Sequence, residues 1–138
     1  MGSCFGICDA GISKARLNTV PSKNDHKTKA EHDKQFADSL GLSTTPYLDW
    51  AITALFYAGL HYVEAYFATM RRHSPDHRTR DSAIQRDSRI RSLYNDYNEL
   101  KNYSINARYY MVSFTESDVR RNLLPRLENI RTRIMPLL

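Results

Sequence analysis

The stretch Pro46–Met70, PYLDWAITALFYAGLHYVEAYFATM, constrains the fold most. It holds no Lys and no Arg, in a chain of 138 residues that carries 20 of them. A helix at a protein surface shows one apolar stripe and one charged face. This segment is apolar nearly all round, so it is predicted to be the central helix of a bundle, wrapped by the others. Its residues sort into two seams. Ala51, Ala54, Ala58, His61, Ala65 and Ala68 step by three and four down one side. They are small, so another helix can approach closely there. Ile52, Phe56, Gly59, Val63, Tyr66 and Met70 run down a neighbouring side and are mostly bulky, as a core requires. The length would cross a bilayer, but Asp49, His61 and Glu64 interrupt it and no second apolar segment exists to pair with it. A role in a membrane is therefore not expected.

The remaining periodicity is also helical. Residues 1–25 show no period and are expected to form a flexible N-terminal tail, leaving 26–138 as one helical domain. From His26 to Leu40, Ala30, Asp33, Phe36, Ala37 and Leu40 fall on one face, and Gly41 is a natural stop. Thr44 or Thr45 is expected to cap the central helix. RRHSPDHRTRDS then reads as a loop, with a third helix starting near Asp81 or Ser82. Its seam is Ile90, Leu93, Tyr97, Leu100, Ser104, Ala107 and Met111. Thr115 with Asp118 resembles a capping box for a last helix that buries Val119, Leu123, Leu127, Ile130 and Ile134. Pro125 predicts a kink or a restart within it, and Pro136 its end. No stretch alternates cleanly as a strand would. The fold class is all-α, an up-and-down bundle of four to five helices.

Charge bears on partners. The net charge is +5 with a pI near 9.3, which favours an acidic partner, nucleic acid first. Arg71–Arg91 holds seven Arg against three Asp, and Arg120–Arg133 holds five more. Arg presents a planar fork that fits phosphate and stacks on bases. Arg78, Arg86 and Arg89 are the candidate phosphate contacts. Cys4 and Cys8 are the only cysteines, lie in the expected tail and form no disulfide framework, so a reducing cytoplasm fits. The opening MGSC has the start of an acylation signal, but Gly6 stands where Ser or Thr is wanted.

Few residues offer chemistry. His73 and His77 are four apart, but Ser74-Pro75 argues for a loop and no third ligand follows from spacing, so neither a metal nor a cofactor is expected. His61 on an apolar helix reads first as a packed, hydrogen-bonded residue. No phosphate loop, GxSxG or dinucleotide fingerprint occurs. The densest polar run is ELKNYSINARYY, where Lys101, Asn102, Ser104, Asn106, Arg108 and Tyr109 crowd a helix end and could form a recognition surface.

These words, AEHDKQFADSL, DWAITALFYAGLHYVEAYFA, the His-Ser-Pro-Asp-His loop and YNELKNYSINARYY, resemble the HEPN domain superfamily, in particular small bacterial HEPN-like proteins. The resemblance spans most of the chain after the tail. It implies an all-α, commonly homodimeric bundle that binds or acts on RNA in toxin–antitoxin or defence settings, or pairs with a nucleotidyltransferase or other defence-system protein. Active members resemble metal-independent ribonucleases that use an Arg followed about a turn later by a His. Here no His occurs after His77, and Asn106 stands where that His is expected. Asn is neither acid nor base at neutral pH. The ribonuclease motif therefore reads as degraded, and a binding module is expected. The alternative is a divergent metal-independent endoribonuclease using Arg108, Tyr109 and His61.

Overall fold

The structure, a computed structural model, describes residues 19–138, so Cys4, Cys8, the MGSC start and most of the expected tail lie outside the described residues. Five α-helices follow: α1 Lys23–Ser39, α2 Leu48–Thr69, α3 His77–Arg86, α4 Tyr94–Tyr109 and α5 Leu124–Ile134, with no strand among the described residues. None of these helices is long and apolar enough to cross a membrane.

The central role expected of α2 holds. Ala51, Ala54, Ala58 and Ala65 of the small seam are all buried, as are Ile52, Phe56, Gly59, Val63 and Tyr66 of the bulky one. α2 packs on α1, α4 and α5. His61 on the small seam bonds His26, so that seam faces α1. A Cβ added at Gly59 would sit 3.2 Å from Leu100 Cδ1 and 3.7 Å from Leu127 and Ile130, so the bulky seam faces α4 and α5. Cross-links between neighbours set the directions. Arg126 and Asn129 of α5 hold Asp96 near the start of α4, while Asn122 reaches Tyr103 near its end. α4 and α5 are thus antiparallel.

Several boundaries shift for local reasons. α1 starts earlier than its apolar pattern, at Lys23, because Ser22 and Asp25 form a complete capping box. Its buried face is His26, Ala30, Asp33 and Ala37, while Phe36 falls one position off the seam and is exposed. Gly41 takes φ +63° at its end, as expected. Neither Thr caps α2: Tyr47 is its N-cap without a side-chain bond, and Thr45 Oγ1 accepts from Tyr47 N–H at 3.0 Å in the preceding turn. α2 ends in a Schellman turn. Arg71 N–H bonds the Ala68 carbonyl at 3.1 Å and Arg72 N–H that of Phe67 at 3.0 Å, with Arg71 at φ 55° where Gly is usual.

The expected single third helix is broken in two. Asp76 accepts the Thr79 N–H at 2.7 Å and so starts α3 at His77, inside the segment read as a loop. Asp87 then stops it. Its Oδ1 accepts the Arg89 N–H at 2.8 Å and its Oδ2 the Tyr66 hydroxyl at 2.9 Å, which turns the chain before α4. Within the expected seam, Ile90, Leu93, Tyr97, Leu100 and Ser104 are buried and Ala107 is half-buried. Met111 is fully exposed, because the backbone turns extended at Tyr110.

Thr115 and Asp118 do make the reciprocal capping bonds, at 2.8 and 3.2 Å. The restart at Pro125 has a specific form. Asp118–Leu123 winds as a π-helix and α5 follows with Pro125 in its first turn, where a missing N–H is tolerated. All five residues expected to be buried in the last helix are buried. A short 3₁₀ turn over Met135–Leu137 takes in Pro136 and closes the chain.

Candidate functional site

The residues singled out in the sequence do not form one surface. Arg108, Tyr109 and Asn106 sit at the C-terminal end of α4, beside the N-terminal end of α2. There a groove of about 770 Å³ is lined by Pro46, Leu48 and Asp49 on one side and Arg108, Tyr109 and Met111 on the other. Arg86 and Arg89 line a separate depression with Tyr66 and Met70, at the other end of α2. The two groups are separated by most of that helix, about 30 Å at 1.5 Å per residue. Arg78 and Asn102 are exposed.

Two candidates lie inside the bundle. Lys101 is buried and ion-paired with Asp81 of α3. Ser104 is fully buried, and its hydroxyl makes no hydrogen bond among the described residues. Both sit on the packed side of α4, so neither presents a polar group to an outside partner. The periodicity had already put Ser104 in the buried seam, which was the available signal. Lys101 carried no such signal, because its partner on α3 lies 20 residues away.

Arg108 is held in place. Its Nη1 donates to Tyr57 Oη at 3.0 Å and its Nε to the Ser104 carbonyl at 3.3 Å. The guanidinium lies 5.5 Å from the Tyr57 ring centre and 5.1 Å from that of Tyr109. Around it the surface is unusually aromatic and apolar: Tyr109, Tyr110, Met111 and Val112 are exposed, as are Tyr47 and Trp50 at the start of α2. An isolated exposed apolar residue needs no explanation, whereas a run of them beside a groove marks a contact surface.

His61 does not join that group. Its Nδ1 lies 3.0 Å from His26 Nδ1, and no hydrogen bond or ring contact links it to Arg108 or Tyr109 among the described residues. One ring must donate and the other accept, so the pair holds a single proton between the two nitrogens. Burial, reinforced by the charge that His26 would carry, lowers the His61 pKa to about 4. Burial also lowers His26, against the pull of Glu64.

A different imidazole, that of His77, lies within the field of Arg108. It opens α3, packs 5.8 Å from the Phe56 ring and lies 3.3 Å from Arg80 Nη1 through Nδ1. Burial first, then the charges of Arg80, Lys101 and Arg108, lower its pKa.

Behind it lies a buried polar cluster that spacing could not reveal. Glu64 Oε1 accepts from Arg80 Nε at 2.6 Å, and both residues are almost completely buried. Glu64 Oε2 accepts the Ser74 N–H at 3.3 Å, and Arg80 Nη2 donates to the Ser74 carbonyl at 3.2 Å. The loop between α2 and α3 is thereby tied to the core. Tyr97 stands beside this pair, its phenol pushed up to about 12 by burial against the opposing charge of Arg80. His73, read from the sequence as a loop residue, turns toward Glu64, with Nδ1 3.7 Å from Oε2.

Comparison of the chain with protein-family models, with curated proteins and with solved structures finds no match.

Proposed function

We propose that this chain is a HEPN-like binding module that engages RNA through the C-terminal end of α4. The observation that carries the reading is the cluster Arg108, Tyr109 and Tyr110: a fixed guanidinium beside exposed aromatic rings at the edge of a groove. Unpaired bases stack on such rings, each worth about 1–3 kcal/mol, and a guanidinium accepts either phosphate or a base face. The excess positive charge, with Arg78, Arg86 and Arg89 exposed, supplies attraction for a polyanion that is independent of its sequence. The resemblance to HEPN proteins adds a homodimer in a toxin–antitoxin or defence setting, with Met111 and Val112 as apolar surface for a second copy or a nucleotidyltransferase partner.

The test is the affinity of a single-stranded RNA oligonucleotide measured against salt concentration. The binder reading expects log affinity to fall linearly with log salt, and Arg108→Ala with Tyr109→Ala to weaken binding at least tenfold. A slope indistinguishable from zero removes phosphate contacts and leaves a protein–protein module.

The endoribonuclease reading is second. What favours it is His77, its pKa lowered by burial and by the charges of Arg80, Lys101 and Arg108, which offers an imidazole where Asn106 cannot act. His77 therefore replaces His61 as the base to test. Cleavage of total RNA in EDTA that disappears in both His77→Ala and Arg108→Ala would put this reading first.

A further inference from the structure

We propose that His26, Glu64 and His73 form a binding site for a transition-metal dication of the zinc type. The three come from three separate segments: the first turn of α1, the C-terminal part of α2 and the loop before α3. Their candidate ligand atoms all lie within 4.8 Å of one another. Zinc in a tetrahedral site, with bonds of about 2.0–2.1 Å, needs neighbouring ligand atoms about 3.3 Å apart. The widest pair must therefore close by at most about 1.5 Å. His73 Nδ1 already lies 3.7 Å from Glu64 Oε2, and its half-exposed ring stands in the loop just after the Schellman turn at Arg71.

The donor set decides the metal class. Two imidazoles and one carboxylate select zinc, nickel or copper over magnesium or calcium, which prefer all-oxygen sites. Three protein ligands also leave a fourth position for water.

The surroundings match what such sites require. Ligating imidazoles and carboxylates are usually held by partners that fix their orientation. His61 holds the His26 ring through Nδ1, and Arg80 holds Glu64 through Oε1 at 2.6 Å. Among the described residues Oε2 accepts the Ser74 N–H at 3.3 Å and faces His73 Nδ1 at 3.7 Å. The Arg80 charge opposes a dication, so the site is expected to bind more weakly than a structural zinc finger. Occupancy would cross-link α1, α2 and the 70–76 loop, independently of the RNA face.

The experiment uses the full chain with Cys4→Ser and Cys8→Ser, so that the N-terminal thiols cannot contribute. Zinc chloride is titrated by calorimetry after EDTA treatment and dialysis, and cobalt chloride is followed by visible absorption. The expected result is one equivalent bound, a rise in Tm and a cobalt band of tetrahedral intensity. His73→Ala is expected to weaken binding at least tenfold without changing the Tm of the metal-free protein, and His32→Ala, at an exposed histidine of α1, to change nothing. Magnesium is expected not to compete. Absence of saturable binding, or equal binding by the His73→Ala variant and its parent, would overturn the assignment.

Discussion

Replacing Arg80 by Met removes one half of an ion pair whose other half, Glu64, is 1% exposed. A carboxylate left alone at that depth costs about 3–5 kcal/mol. The loop from His73 to Asp76 also loses its tie, because Arg80 Nη2 no longer donates to the Ser74 carbonyl. That hydrogen bond adds about 1 kcal/mol. For a domain with a total stability of about 5–15 kcal/mol, the variant should lie close to unfolding. The double variant Glu64→Leu with Arg80→Met behaves differently. It removes both charges, leaves apolar side chains of similar size in their place, and loses the contacts with Ser74, His73 and His77. Its expected cost is about 1–2 kcal/mol, so it should be more stable than Arg80→Met alone. Urea unfolding followed by far-UV circular dichroism, in EDTA, measures all four corners of the cycle. If Arg80→Met costs less than about 1 kcal/mol, or the double variant is less stable than the single, the pair is not the buried, mutually dependent unit described above.

Three further outcomes follow from specific contacts. Gly59→Leu should destabilise by about 1–3 kcal/mol in thermal melts, because even a Cβ there meets Leu100 Cδ1 at 3.2 Å. Arg71→Gly should raise stability by up to about 1 kcal/mol, since Arg71 holds φ 55° at the end of α2 where Gly carries no Cβ penalty. The Glu31 carboxyl is held below its usual range by the Tyr62 hydroxyl, which donates to it at 2.6 Å, with burial opposing and Arg131 assisting. Because the folded pKa is the lower one, the stabilisation is present above the ordinary carboxylate value of 4.5 and is lost as pH falls through the folded value. Tyr62→Phe should therefore flatten the acid limb of a stability–pH profile relative to the parent.

The bundle was legible because α2 announces it. A run without Lys or Arg, with small residues on one seam, reads as an interior helix, and the packing of α1 along that seam, with His26 against His61, is the outcome. Helix ends were less legible where a single side chain sets them. Asp76 starts α3 within a segment that Ser74 and Pro75 made look like a loop, and Asp87 stops it by taking the Tyr66 hydroxyl from a helix 21 residues away. The candidate site was legible only in part. Arg108 and Tyr109 do share a surface, whereas Arg86 and Arg89 line a depression at the other end of α2. The sequence left His73 and His77 as loop residues with no third ligand, yet side chains from positions 26 and 64 converge on His73. Local sequence carries no record of such a meeting. It exists only after α1 has packed on the small seam.

Trp50 gives the most direct access to the claim that the end of α4 is the contact face. It is the only tryptophan in the chain, is exposed, and stands in the first turn of α2 next to Asp49, which lines the groove. A titration of its fluorescence with a single-stranded RNA oligonucleotide therefore reports on that face alone. The account predicts a saturable change that weakens with salt and is lost in Arg108→Ala with Tyr109→Ala. An unchanged Trp50 signal up to about 100 μM RNA at physiological salt, the weak end of non-specific nucleic-acid affinity, would contradict it.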